Sequence, residues 1–147
     1  MPTTADRGAG LSALYQERIL AHYRKPHHKG ALERVTGMHT VKNPLCGDDV
    51  TVAVRQVDGV VVDAGFTGTG CSITQATASM LMDVVRGKNR DEIEALRTAF
   101  DAMLAGAEAG ESLGEMQALS GVAGFKARHK CARLPWQALE GALGRAG

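Results

Sequence analysis

The segment from Thr51 to Phe66 constrains the fold most, because its apolar residues recur every second position on both sides of a turn. Residues 51–57 (TVAVRQV) alternate as a half-buried strand does, and residues 60–66 (VVVDAGF) read as a second strand. Asp58-Gly59 between them is a strong signal for a tight hairpin. With a shorter strand near residues 38–41, the pattern predicts a small antiparallel sheet of about three strands.

The rest of the chain has helical periodicity. We expect an α+β fold in which several helices cover the sheet, built as a single domain over residues 1–147 with a flexible tail at residues 1–10. The predicted helices are residues 11–23, Cys71 to about Val84, 91 to about 104, a short piece through Met116 and Leu119, and Pro135 to Leu143.

Composition narrows the functional classes. The 147 residues carry a net charge of +1, so no strong field favours nucleic acid or an anionic membrane. The first ten residues lack the apolar stretch of a signal peptide, and no run is long enough to span a bilayer. We therefore expect a cytoplasmic protein, in which three cysteines argue against a disulfide framework.

Each cysteine stands where one predicted element gives way to another. Cys46 lies in the turn NPLCGDD, Cys71 follows a glycine-rich segment and opens a helix, and Cys131 precedes the last predicted helix. Helix N-termini and nearby cations favour thiolates, and Gly68 and Gly70 allow close backbone approach. Three thiolates with the Asp48 carboxylate would supply the four donors of a tetrahedral zinc site. Spacing alone does not decide between this site and unconnected structural cysteines, and it also leaves lone redox thiols open.

Four ordered blocks carry a resemblance to a known family. LYQERILAHYRKPHHKG, NPLCGD, GTGCSITQATASMLMDVVRGK and ARHKCARLPWQAL resemble the N-terminal helix and the three metal-ligand segments of the IscU/NifU-N-terminal family of iron–sulfur cluster assembly proteins. The match covers nearly all of the chain after residue 10. It implies that Cys46, Asp48, Cys71 and Cys131 are metal ligands.

Two features resemble the SufU branch more than the IscU scaffold branch. Lys130 precedes Cys131 where IscU has a histidine, and residues 124–128 (GFKAR) replace its LPPVK motif. Extra sequence around residues 104–120 also resembles SufU. The branch implies a zinc-dependent carrier that accepts persulfide sulfur on Cys46 from a SufS-type cysteine desulfurase. A cluster scaffold, holding iron or an iron–sulfur cluster, and a purely structural zinc module stay open as alternatives.

Other polar residues receive plainer interpretations. We expect Arg128 and Lys130 to lie around the metal and offset the charge of its ligands, with His129 in the same outer shell or exposed. The adjacent His27 and His28 follow Pro26 in a loop and are interpreted as solvated rather than ligands. Asp49 is expected to be exposed, and Met80 and Met82 are expected in the core.

Overall fold

A computed structural model describes residues 16–44 and 47–144. Its sheet has three antiparallel strands in the order β1-β2-β3: β1 is Gly37–Asn43, β2 is Asp48–Val57 and β3 is Val60–Thr69. The three-stranded antiparallel sheet expected from the alternation is confirmed. Each strand is longer than the pattern indicated, since pairing extends into the polar residues at the strand ends.

Two turns connect the strands. The β2–β3 hairpin closes through Asp58 and Gly59, whose φ angles of 52° and 78° are left-handed, as a type I′ turn requires. The β1–β2 connection leaves the ladder at the pair Asn43–Asp48. Leu45 and Cys46 belong to this connection and lie outside the described residues.

The helices follow the predicted order. Residues 16–24 are helical (α1), while the predicted tail at 1–10 and the first part of the predicted helix, 11–15, lie outside the described residues. The remaining helices are α2, Ser72–Val85; α3, Arg90–Leu104; and α4, His129–Leu143; between α3 and α4 run two 3₁₀ segments, Glu111–Val122 and Lys126–Arg128.

The last helix begins six residues earlier than predicted. Proline is favoured in a first helical turn, and Pro135 was interpreted as such a start. In the structure Pro135 lies inside α4. Its missing N–H leaves the Cys131 carbonyl without its usual partner, and burial of Trp136 and Leu139 in the core offsets that cost. Cys131 therefore lies within the first turn of α4 rather than before it.

The core lies between the sheet and two helices. Val52 and Val54 of β2 pair with Phe66 and Ala64 of β3, and all four are buried. α4 packs across β1 and β2, and α2 packs on α4 and β3. α2 is the central helix, buried nearly all round, with Met80 and Met82 in the core as expected. Across the residues that the structure describes, no helix is both long and apolar enough to cross a membrane.

Candidate metal centre

Asp48, Cys71 and Cys131 come together at one end of the sheet. One potential ligand atom from each residue lies within 4.8 Å of the others. Asp48 is the first residue of β2, Cys71 is the N-cap of α2, and Cys131 is the third residue of α4. The sequence predicts a metal site formed by loops and helix N-termini at one end of the fold, and the structure shows a possible metal-ligand group there. Two sulfurs and a carboxylate are a donor set that suits Zn²⁺ or iron.

Thr74 holds this cluster together, and sequence reasoning missed it. Its Oγ1 donates to Asp48 Oδ2 at 2.7 Å and lies 3.4 Å from Cys71 Sγ. Asp48 itself is only 4% exposed, so this hydroxyl satisfies an oxygen that water cannot easily reach. The sequence signal that could have identified Thr74 is its spacing from Cys71, because residues three positions apart lie on the same face of a helix.

Two glycines before Cys71 allow the close approach. A Cβ on Gly70 would lie 3.1 Å from Asp48 Cγ and from the side chain of Thr74. Gly68 has a φ of +138°, and a Cβ there would lie 2.1 Å from the Asp49 carbonyl oxygen. The interpretation of these glycines as positions where backbone must come close is confirmed.

The two thiols ionise unequally. Burial raises the pKa of Cys71, but hydrogen bonds with Thr74, Cys131 and the Ile73 N–H outweigh it and hold that pKa below its ordinary value. Burial, the hydrogen bond with Cys71 and the charge of the Cys71 thiolate raise the pKa of Cys131 to about 11. Cys71 is therefore the first of the pair to lose its proton, and a metal ion would have to displace the proton of Cys131.

Among the predicted outer residues, Arg128 makes the clearest interaction. It is exposed, and its hydrogen bond with Cys131 and the charges of both thiolates raise the pKa of its guanidinium. Lys130 is also exposed, and its predicted contribution to the site's charge stays a prediction. His129 is half-buried, and its Nε2 lies 3.0 Å from the Ala123 carbonyl oxygen and 3.2 Å from that of Val122. It connects α4 to the C-terminal end of the 3₁₀ segment Glu111–Val122.

Of the four predicted ligands, three are described and lie together. The fourth, Cys46, is outside the described residues. Asp49 is half-buried rather than fully exposed, and its Oδ1 accepts from the Thr69 N–H at 3.4 Å. It pairs with the end of β3 and is separate from the three-donor cluster.

Comparison with known proteins decides the family. The family model described as the NifU-like N terminal domain matches residues 14–132. The chain belongs to this family. The NifU-like match includes all four predicted ligand positions, and the resemblance drawn from the four sequence blocks is confirmed.

Relatives within the family carry two different names. The chain is 40% identical over 134 residues to the zinc-dependent sulfurtransferase SufU of Bacillus subtilis, with 90% of each chain covered. It is 39% identical over 137 residues to the iron–sulfur cluster assembly scaffold protein IscU of Streptococcus pyogenes, covering 92% of this chain and 86% of that one. A solved NifU-like N-terminal structure from Brucella abortus superposes with a TM-score of 0.80 at 31% identity, covering 88% and 91% of the two chains.

Proposed function

We propose that this protein is a zinc-dependent sulfur acceptor of iron–sulfur cluster assembly, which receives sulfur on Cys46 from the persulfide of a SufS-type cysteine desulfurase. The observation that carries the proposal is the cluster of Asp48, Cys71 and Cys131, whose donor atoms converge within 4.8 Å. In this proposal Zn²⁺ is held by these three residues and Cys46.

The donor chemistry fits zinc. Cys46 is two residues from Asp48, so covalent geometry keeps their Cα atoms within about 7 Å. A third thiolate from Cys46 would complete a Cys₃Asp set of four donors, the number that Zn²⁺ prefers. When bound, Zn²⁺ supplies a positive charge that keeps the thiols deprotonated. The Asp48 carboxylate, which accepts a hydrogen bond from Thr74, is a hard oxygen ligand, so this set is less soft than one of four thiolates.

The transfer step is a thiol–persulfide exchange. The Cys46 thiolate attacks the outer sulfur of the desulfurase persulfide, forming a new S–S bond at Cys46. The S–S bond of the donor breaks, and the desulfurase cysteine leaves as a thiolate. One sulfane sulfur moves and no net oxidation occurs, so the step requires no further oxidant or reductant.

Arg128 has a defined part in this chemistry. It is an exposed cation that forms a hydrogen bond with Cys131 and interacts electrostatically with the Cys71 thiolate. Three thiolates and one carboxylate around a dication leave an excess of two negative charges, which repels an incoming anionic persulfide. We assign to Arg128 the partial neutralisation of that excess on the open side of the site.

Sequence features favour the carrier over the scaffold. Lys130 stands immediately before Cys131, where the IscU branch has a histidine. Most of the extra sequence that resembles SufU forms the segment Glu111–Val122, a 3₁₀ element whose residues Leu113, Met116 and Leu119 are buried. Together with the SufU relative of Bacillus subtilis, these support the carrier. The scaffold is the second candidate, because the IscU relative of Streptococcus pyogenes is almost equally similar and thiolates also hold clusters.

Metal analysis combined with a desulfurase assay tests the proposal. We expect a colourless protein with about one zinc per chain that stimulates sulfide release when mixed with a SufS-type desulfurase, cysteine and a reductant. A brown, labile absorbance after anaerobic reconstitution with iron, without stimulation of the desulfurase, would instead support the scaffold. Zinc binding with neither effect would support a structural zinc module.

A further inference from the structure

A second group of side chains with potential metal-ligand atoms lies toward the other end of α2. His22 comes from α1, His27 and His28 from the turn that follows it, and Asp83 from the last turn of α2. One potential ligand atom each from His22, His27 and Asp83 lies within 4.8 Å of the others. Asp83 is twelve residues after Cys71, which places it about 18 Å along the helix from the sulfur cluster.

Hydrogen bonds orient His22 as they orient histidines in metal sites. His22 is 3% exposed, and its Nε2 lies 2.5 Å from Glu115 Oε2. Its Nδ1 lies 2.6 Å from Ser79 Oγ, which accepts from the His27 backbone N–H at 2.7 Å. With Nε2 donating to the carboxylate, Nδ1 accepts from the Ser79 hydroxyl, so a metal ion bound at Nδ1 would displace the proton of this hydroxyl from the lone pair. A histidine that donates one ring N–H to a carboxylate is the usual partner arrangement of a metal ligand.

The Asp83 carboxylate is positioned in the same way. Its Oδ1 accepts from His28 Nε2 at 3.0 Å, and His28 Nδ1 accepts from Arg86 Nη2 at 2.9 Å. The other oxygen, Oδ2, faces His27 Nδ1 at 2.6 Å. His28 therefore orients the carboxylate through Oδ1. The Asp83 Oδ2 and His27 Nδ1 atoms face each other and are the two candidate ligand atoms.

We propose that His22, His27 and Asp83 form a second divalent-metal site, distinct from the sulfur-containing centre. Two imidazoles and one carboxylate suit a borderline ion of the Zn²⁺, Co²⁺ and Ni²⁺ class. Bonds of about 2.0–2.1 Å in a tetrahedral site place ligand atoms about 3.3 Å apart, so His27 and Asp83 need to separate by only about 0.7 Å. Water fills the remaining position.

Charge and access agree with this assignment. Asp83 and Glu115 supply two negative charges against a dication, and the His27 side chain is 52% and that of Asp83 37% exposed, so an ion can enter from solvent. His27 and His28 are exposed, as their interpretation as solvated residues expects, and both also contact Asp83.

Titration with Co²⁺ tests the second site. The full-length protein is first loaded with one equivalent of Zn²⁺, and Co²⁺ is then followed by calorimetry and by paramagnetic broadening of histidine ring protons. We expect one further equivalent to bind. His27→Ala and Asp83→Asn change exposed side chains, and each should weaken that equivalent at least tenfold. His28→Ala, which removes a supporting contact, should weaken it about tenfold.

His39→Ala is the matched control, because His39 is an exposed histidine on β1 and its loss should leave Co²⁺ binding unchanged. Absence of a second equivalent contradicts the site, as does unchanged affinity in either His27→Ala or Asp83→Asn. Cys46→Ala separates this proposal from the sulfur-transfer proposal, since it should retain the second equivalent whether or not Cys46 accepts sulfur.

Discussion

The two ends of α2 place candidate metal donors by different means. At the N-terminal end, Cys71 and its neighbours are fixed by backbone: a strand start, a helix N-cap and a first helical turn meet where glycines allow close contact. At the C-terminal end, His22, His27 and Asp83 are oriented by side-chain hydrogen bonds near the surface. The first end is buried and rich in sulfur, the second more exposed and rich in nitrogen. Backbone-fixed sites leave recognisable sequence blocks, whereas sites made by side-chain contacts do not.

The largest expected effect is a loss of zinc affinity at the N-terminal end of α2 that leaves metal binding at the C-terminal end unchanged. Cys71→Ala removes one of four proposed zinc ligands, and a quarter of the ~10–16 kcal/mol typical of structural zinc is about a hundredfold to a thousandfold in affinity. We expect the tight zinc equivalent to be lost in a competition titration with a chelator, while the Co²⁺ equivalent at the histidine end persists. Far-UV circular dichroism controls for folding. Loss of both equivalents from a folded variant would show that the two ends are not independent.

The next effect concerns pH at the sulfur end. The pKa of Cys131 is raised to about 11, so at pH 7 the metal-free protein holds this proton and zinc must displace it. Apparent zinc affinity should therefore rise about tenfold per pH unit from this proton alone, and fall as the pH decreases. Calorimetry in buffers of different ionisation enthalpy measures the proton released. Binding without proton release at pH 7 would contradict the unequal ionisation of the thiols.

A smaller effect compares two buried threonines of α2. Thr74 donates to Asp48, whereas Thr77 Oγ1 has no hydrogen-bond partner among the described residues. Thr74→Val should lower the free energy of unfolding of the metal-free protein by about 1.5–3 kcal/mol, because it removes a hydrogen bond to a buried carboxylate. Thr77→Val is the matched control and should be neutral or slightly stabilising. Urea unfolding of both variants measures the difference, and equal losses would remove Thr74 from its proposed role.

Much of the sheet and of the sulfur end could be predicted from sequence. The alternation around Asp58-Gly59 predicted the hairpin, because the turn and the two-residue period are both local signals. The breakers around Cys46 and the glycines before Cys71 marked element boundaries. These boundaries made the cysteines and Asp48 candidate ligands. The resemblance of the four ordered sequence blocks to one family then indicated that the ligands belong to a single site.

The remaining features depend on contacts that no local pattern encodes. Pro135 was misassigned because its local preference for a helix start is outweighed by packing of α4 on the sheet. Ser79 is buried in α2 and contacts His22, which is 57 positions away in the chain. Glu115 contacts the same histidine from 93 positions away in the chain. The group of side chains around His22 is therefore formed by tertiary packing of the helices and cannot be recognised from the local sequence.

The most direct test of the central claim is to find which cysteine carries the transferred sulfur. Trypsin should separate the three cysteines into residues 43–55, 56–86 and 131–133, since Lys42, Arg55, Arg86, Lys130 and Arg133 bound these peptides. After reaction with desulfurase and cysteine, then alkylation, mass spectrometry should find the added sulfur on peptide 43–55. Cys46→Ala should acquire none. Sulfur acquired by Cys46→Ala at the wild-type rate, on either of the other peptides, would contradict the assignment of Cys46 as the acceptor.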